Sequence, residues 1–320
     1  MDKKLISVVV PCYNEEEVLP LFYDEIVRVS GEMMNAHPQL SFEFLFINDG
    51  SKDKTLTILR NLAKKDERVR YVSFSRNFGK EPALYAGLEN SKGDYVVTLD
   101  ADLQHPPKLI PEMYNMVSSG EYDCAATRRI SRKGEPKLLS FFSRSFYKVI
   151  NSISQTQIVD GAQDFRFMTR QMVNAILSMS ERNRFSKGIF SWVGFDTKYI
   201  PVENTERAAG TTTWNFWKLF KYSLEGIMAF STAPLAFSVL MGIIVLIASL
   251  VMLIITIVSA CKAAAWQIPF ITFLVTFVGG LQLFCGGINA LYEQKLYTEI
   301  KKRPIYIAKE TEKTKGMINK

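Results

Sequence analysis

Two carboxylates one residue apart, Asp100 and Asp102, follow the apolar run 94–99. Beyond the end of a buried strand, such a pair can face a divalent cation and a nucleotide together. Hard oxygen ligands suit Mg2+ or Mn2+, ions that keep water and bridge phosphates. An isolated Asp-x-Asp is equally at home in a solvated turn, so its neighbours matter. Two further polar clusters, at 13–15 and 48–51, also follow apolar runs. Arg128 and Arg132 stand in a basic stretch and carry guanidinium forks that match phosphate oxygens, unless that stretch is a solvated loop. Other chemistries are excluded. His37 and His105 lack partners at zinc spacing. There is no G-x-G-x-x-G after the first strand, no P-loop and no serine nucleophile elbow.

The elements that must hold these clusters can be read from the hydrophobic pattern. Runs at 5–10, 42–47, 69–74 and 94–99 predict strands, and the stretches 15–35, 53–65 and 81–89 predict helices between them. That alternation predicts an α/β fold with a doubly wound, mostly parallel sheet, whose ligands bind beyond the carboxyl ends of the strands. The three polar clusters all fall there. After 122–127 the pattern loosens.

The chain has 320 residues, a formal charge of +7 and 48% hydrophobic residues. Its apolar residues are unevenly distributed. No charge occurs from Ala229 to Cys261, nor between Lys262 and Glu293, and each run exceeds the roughly 20 residues that cross a bilayer core. Two transmembrane helices are expected, at about 234–259 and 268–292, joined too tightly to be anything but a hairpin. Stretches 137–153 and 214–230 mix aromatic and basic residues, as interfacial amphipathic helices do. Lys295, Lys301, Lys302 and Arg303 flank the outer end, which places that side in the cytoplasm and explains the basic charge without nucleic acid. Cys12, Cys124, Cys261 and Cys285 have no C-x-x-C spacing and read as reduced thiols. The expected organisation is a cytosolic catalytic domain (1–210), an interfacial helix (211–232), the hairpin (233–292) and a basic cytosolic tail (293–320). Both termini would be cytoplasmic. Gly279-Gly280 and Gly286-Gly287 permit a homo-oligomer without requiring one.

Taken in order, V-V-P-C-Y-N-E-E (9–16), N-D-G-S-K-D-K-T (48–55), R-N-F-G-K-E (76–81), D-A-D-L-Q (100–104) and Q-D-F-R-F-M (163–168) resemble the GT-A, family 2 glycosyltransferases. Within these the chain is similar to the polyprenyl-phosphate sugar transferases, the bactoprenol glucosyltransferases and dolichol-phosphate mannose synthases. The resemblance implies a GT-A mixed sheet on a bacterial plasma membrane. It also implies roles. Pro11, Tyr13, Glu15, Asp49, Lys80 and Asp100 would bind the nucleotide-sugar, and Asp102 and Gln104 would ligate Mg2+ or Mn2+. Arg128 and Arg132 would hold the acceptor phosphate, and Asp164 would take the position of the catalytic base, with Asp102 and Arg128 beside it in catalysis. One departure stands out: after Arg207-Ala208-Ala209-Gly210 the family's lysine is replaced by Thr213.

The expected reaction moves one sugar, glucose or N-acetylglucosamine, from a UDP-sugar to undecaprenyl phosphate with inversion, for later decoration of a surface glycan. A phosphomonoester is mostly a dianion at pH 7, its second pKa being about 6, so this acceptor needs no strong base. Asp164 is therefore expected to orient rather than deprotonate. The alternatives are a polysaccharide synthase with a sugar-hydroxyl acceptor and a non-catalytic nucleotide-binding membrane scaffold.

Overall fold

The computed structural model describes residues 3–130, 151–152, 157–179, 181–203, 227, 231, 233–260 and 267–318. Strands β1 (Lys4–Cys12), β2 (Leu40–Asn48), β3 (Val69–Phe74) and β4 (Tyr95–Thr98) alternate with helices α1 (Leu19–Ala36), α2 (Thr55–Lys65) and α3 (Lys80–Asn90). Then come α4 (Ile110–Ser118), β5 (Cys124–Arg129), β6 (Ala162–Thr169), α5 (Arg170–Ser178), α6 (Ser186–Trp192) and β7 (Thr197–Val202). Two long helices, α7 (Ala233–Ala260) and α8 (Gln267–Ile300), precede β8 (Ala308–Thr311) and β9 (Lys315–Ile318).

The strands form one mixed sheet in the order β7-β5-β6-β4-β1-β2-β3-β8-β9. β1 pairs in parallel with both β2 and β4, while β6 runs antiparallel to β4. Unbroken apolar strands arise because both faces are covered. Ile6, Val8 and Val10 of β1 pack with α1 and α4 on one face, and Val9 packs with α3 and α5 on the other. The α3 contact is close enough to demand glycine: a Cβ at Gly87 would lie 2.1 Å from Val9 Cγ1. The strand order reverses at β1, with β2 and β3 added on one side and β4 on the other. This switch point opens the crevice where doubly wound sheets bind ligands.

The predicted first helix starts later than expected, at Leu19 rather than 15. The N–H groups of Asn14, Glu15 and Glu16 are instead taken by Ser51, Thr55 and Asp53 side chains, which holds 14–16 as a loop. The tail 293–320 is not simply a basic tail. It completes α8 and then adds β8 antiparallel to β3. There Glu310, 6% exposed, accepts two bonds from Arg60 and one from Tyr71.

In place of the expected transmembrane hairpin, the structure shows α7 and α8 as two helices packed against each other. Tyr292 on α8 donates to the Ser231 carbonyl at 2.7 Å, just before α7, and Cys285 on α8 to Ser238 on α7, so the helices run antiparallel. Among the described residues, however, no helix is long and apolar enough to cross a membrane, so the two transmembrane spans are not met by that measure. Apart from 151–152 and 227, the interfacial stretches 137–153 and 214–230 lie outside the described residues, as do Arg132, Thr213 and Cys261.

Candidate active site

The crevice has one wall made by two interlocked loops. Asn14, at φ 56°, receives Ser51 Oγ on its N–H and accepts the Lys52 N–H on its side chain. Lys54 N–H donates to Glu16 at 2.8 Å. Tyr13 stands 40% exposed on this wall beside the half-buried Pro11 and Glu15. Asp49 lies deeper. Its N–H bonds to the Cys12 carbonyl, and its carboxylate accepts the N–H groups of Phe78 (2.6 Å) and Gly79 (2.9 Å). Burial pushes the Asp49 carboxyl up, and the two N–H groups oppose that. Gly50, at φ +64°, permits the close approach: a Cβ there would lie 2.4 Å from the Arg76 carbonyl carbon. Asp49 thus anchors the loop that delivers Lys80.

The other wall follows from strand register. Thr98 on β4 pairs with Arg166 on β6 at the end of the antiparallel ladder, and Asp100 and Asp164 each lie two residues beyond that last pair on their own segments. Thr98 Oγ1 donates to the Asp164 carbonyl at 2.6 Å and fixes that arrangement. Lys80 Nζ lies between the two carboxylates, 2.8 Å from Asp100 Oδ2 and 2.7 Å from Asp164 Oδ2. Burial pushes the Asp164 carboxyl up, but Lys80, then Lys187 and Arg166, outweigh it and hold the carboxyl well below the usual carboxylate range. Burial likewise disfavours the Lys80 ammonium, and Asp100 and Asp164 more than reverse this, holding it above the usual lysine range.

Asp102 is buried and accepts the Gln104 N–H at 3.1 Å in a tight turn. Leu103 in that turn has φ 57°, a left-handed conformation that costs a non-glycine residue on the order of 1–3 kcal/mol. Arg128 lies exposed on β5, its Nε donating to the Asp160 carbonyl at 2.9 Å.

Glu81 and Arg166, both inside the motifs that carry the family resemblance, and His105 just after the Asp100–Gln104 motif were given no role in the sequence reading, and the structure places all three beside the site. Glu81, next to Lys80, accepts the N–H and the hydroxyl of Ser186. Arg166 is 1% exposed with its guanidinium 4.3 Å from the Phe190 ring centroid, and its buried Nε has no hydrogen-bond partner among the described residues. His105 is buried, its Nδ1 3.8 Å from Asp100 Oδ2. No local motif reports the Glu81–Ser186 contact, because it joins residues 105 positions apart.

With this geometry in place, the matching family is informative. The glycosyl transferase family 2 signature matches residues 7–177, from β1 to α5. The chain belongs to this family. Similar glycosyltransferases match it almost end to end. CsbB of Bacillus subtilis (strain 168), provisionally named a glycosyltransferase, is 42% identical over 97% of this chain and 93% of its own. A protein of Escherichia coli (strain K12) named a prophage bactoprenol glucosyl transferase homolog is 40% identical over 96% and 99%. The bactoprenol glucosyl transferase of Shigella phage SfII is 41% identical over 96% and 98%. A solved glucosyl-3-phosphoglycerate synthase from Mycobacterium tuberculosis is 20% identical over 70% of this chain and 78% of its own, with a TM-score of 0.45, a likeness that carries no argument about function.

The residues of this glycosyltransferase fit a divalent ion. Asp102 and Gln104 offer hard oxygen donors. Among the described residues no group of three or more His, Cys, Asp or Glu could hold a metal on its own. A closed structural cage is therefore absent from them.

Proposed function

We propose that this glycosyltransferase moves a single sugar, glucose in the first instance, from a UDP-sugar to a polyprenyl phosphate, undecaprenyl phosphate, at the cytosolic face of a bacterial plasma membrane. The acceptor and sugar are suggested by the names of full-length relatives near 40% identity. One observation carries the chemical part of the reading, the convergence of Asp100 and Asp164 on Lys80 Nζ. A carboxylate held far below its usual range is a weak base. Asp164 is thus poorly placed to deprotonate a sugar hydroxyl and well placed to orient groups around it. A phosphate dianion needs no deprotonation. One of its oxygens attacks the anomeric carbon, the bond from that carbon to the UDP oxygen breaks, and inversion follows.

Pro11, Tyr13 and Glu15 would line the base and ribose site, with Asp49 holding the adjoining loop. Asp102 and Gln104 would hold Mg2+ or Mn2+, which when bound would neutralise charge on the leaving diphosphate. Lys80 and Asp100 would flank the donor, and Arg128 would approach the acceptor phosphate, with Arg132 as a second contact. The hairpin would sit in the bilayer. Phe237, Val239, Leu240, Ile243, Ile244 and Ile247 are all exposed on α7, and an apolar surface of that extent calls for a lipid or protein cover.

The test is transfer of label from a panel of UDP- and GDP-sugars to undecaprenyl phosphate in detergent with Mg2+ or Mn2+, with Asp102→Ala beside it. Label from UDP-glucose in an acid-labile glycolipid, lost with Asp102→Ala or a chelator, supports the reading. Transfer from a GDP-sugar alone, or none from any donor, overturns it.

A further inference from the structure

Glu299 lies in the last turn of α8, at the foot of the hairpin. Its Oε1 accepts the backbone N–H groups of Arg182 (2.7 Å) and Asn183 (3.2 Å), and its Oε2 lies 3.5 Å from Arg182 Nη1. Arg182 Nε donates in turn to the Arg303 carbonyl at 2.6 Å. Two residues on, Arg184 is buried with its guanidinium 4.6 Å from the centroid of the Tyr85 ring on α3. Ser186 then gives its N–H, at 2.9 Å, and its hydroxyl to Glu81 Oε2. Glu81 adjoins Lys80 in the first turn of α3, and Lys80 bridges Asp100 and Asp164. A continuous run of contacts therefore joins the hairpin to the reacting carboxylates by a route separate from the nucleotide loops.

A carboxylate in the last turn of a helix opposes the helix dipole, so Glu299 does little for α8 itself. What it does is fix two consecutive peptide N–H groups of the neighbouring loop with charge-assisted bonds. We propose that Glu299 is a positioning residue: it clamps loop 181–186 and, through Ser186 and Glu81, sets the placement of Lys80 between Asp100 and Asp164. The seat of the hairpin against the catalytic domain is then part of the site's geometry as well as an anchor. The proposal rests on the reaction read above for its activity readout alone.

The experiment uses the full chain in detergent and two variants. Glu299→Ala removes the acceptor of both N–H groups, while Glu299→Gln keeps an amide oxygen there. Small misplacements at a reacting centre cost up to about a hundredfold, so Glu299→Ala should lower kcat for glycolipid formation by about ten- to a hundredfold. Glu299→Gln should recover most of it. Ser186→Ala should act in the same direction and add little to Glu299→Ala, as expected for residues in one relay. A wild-type rate in Glu299→Ala, or equal losses in the two Glu299 variants, overturns the proposal. Amide hydrogen exchange supplies a readout independent of the acceptor. Glu299→Ala should lose protection at Arg182 and Asn183 and also at Ser186. Unchanged protection at Ser186 overturns the proposal, whereas loss there in a chain that makes no glycolipid supports it and faults only the reading of the reaction.

Discussion

Replacing Lys80 by methionine removes the nitrogen that lies 2.8 Å from Asp100 and 2.7 Å from Asp164. At an effective dielectric near 20, each contact carries a Coulomb attraction of about 6 kcal/mol. Desolvation of the ions and solvent screening of an ammonium that is 40% exposed offset most of this, leaving a net effect of about 1–3 kcal/mol. That corresponds to a titration displaced by roughly one to two pH units. The variant leaves the two carboxylates without their shared ammonium, and like charges so close push one of them to hold its proton. The sign follows from the folded-state shifts. Asp164, held down, contributes stability that is present above the unfolded carboxylate range and lost as pH falls through the folded value. Lys80, held up, contributes stability that is present below the unfolded lysine range and lost only as pH rises through the folded value. Lys80→Met abolishes the Lys80 contribution and removes the largest of the interactions that hold Asp164 down, leaving those of Lys187 and Arg166. The assay is kcat/KM for glycolipid formation across about pH 5 to 9, the range of ordinary titrating groups. The wild type should show no limb from Asp164 there. Lys80→Met should lose about ten- to a hundredfold at neutral pH and gain an acid limb above about pH 5. A variant with full activity, or one lacking a new acid limb, would refute the bridging role of Lys80.

Asp164→Asn should be slower than wild type yet keep the shape of its pH–rate profile through neutrality; loss of a limb would instead make Asp164 a general base. Glu310→Ala should destabilise the chain by about 2–3 kcal/mol in thermal or denaturant unfolding. Removing one member of a buried pair costs about 3–5 kcal/mol, and Arg60 on the other side is 41% exposed. Tyr71, whose hydroxyl is pushed up to about 12 by burial and by its bond to Glu310, should make stability fall as pH rises from about 10 to 12, and Tyr71→Phe should flatten that fall. Gly87→Ala should cost about 1–3 kcal/mol of stability through overpacking against Val9, measurable as a lowered unfolding midpoint.

Half of the sheet was legible in the sequence for a simple physical reason. β1 to β4 are buried on both faces and so appear as unbroken apolar runs, and the polar residues that end them stand out. The expectation that 13–15, 48–51 and 100–104 gather at one end followed directly, and the structure places them around the switch point. β5 and β6 were harder to read because they carry the site: Arg128, Asp164 and Arg166 interrupt their apolar pattern. β8 is a short, largely polar strand whose Glu310 is held by Arg60 and Tyr71, 250 and 239 positions earlier in the chain. The motif containing Lys80 was visible, but its bridge depends on the β4–β6 register, which no local pattern encodes. The same holds for Glu299, which reads as an ordinary charge beyond an apolar run until its contacts with Arg182 and Asn183 are seen.

A phosphate acceptor and a hydroxyl acceptor are separated by a competition in a lipid bilayer. The full chain in lipid nanodiscs would receive labelled UDP-glucose with Mg2+ or Mn2+ and equal amounts of undecaprenyl phosphate and undecaprenol. The account predicts label only in the phosphate-linked product, released as free sugar by mild acid, with one equivalent of UDP formed per lipid. Label in undecaprenol or in a growing polysaccharide would mean that the acceptor is a hydroxyl, and the account of Asp164 as a weak base would be contradicted.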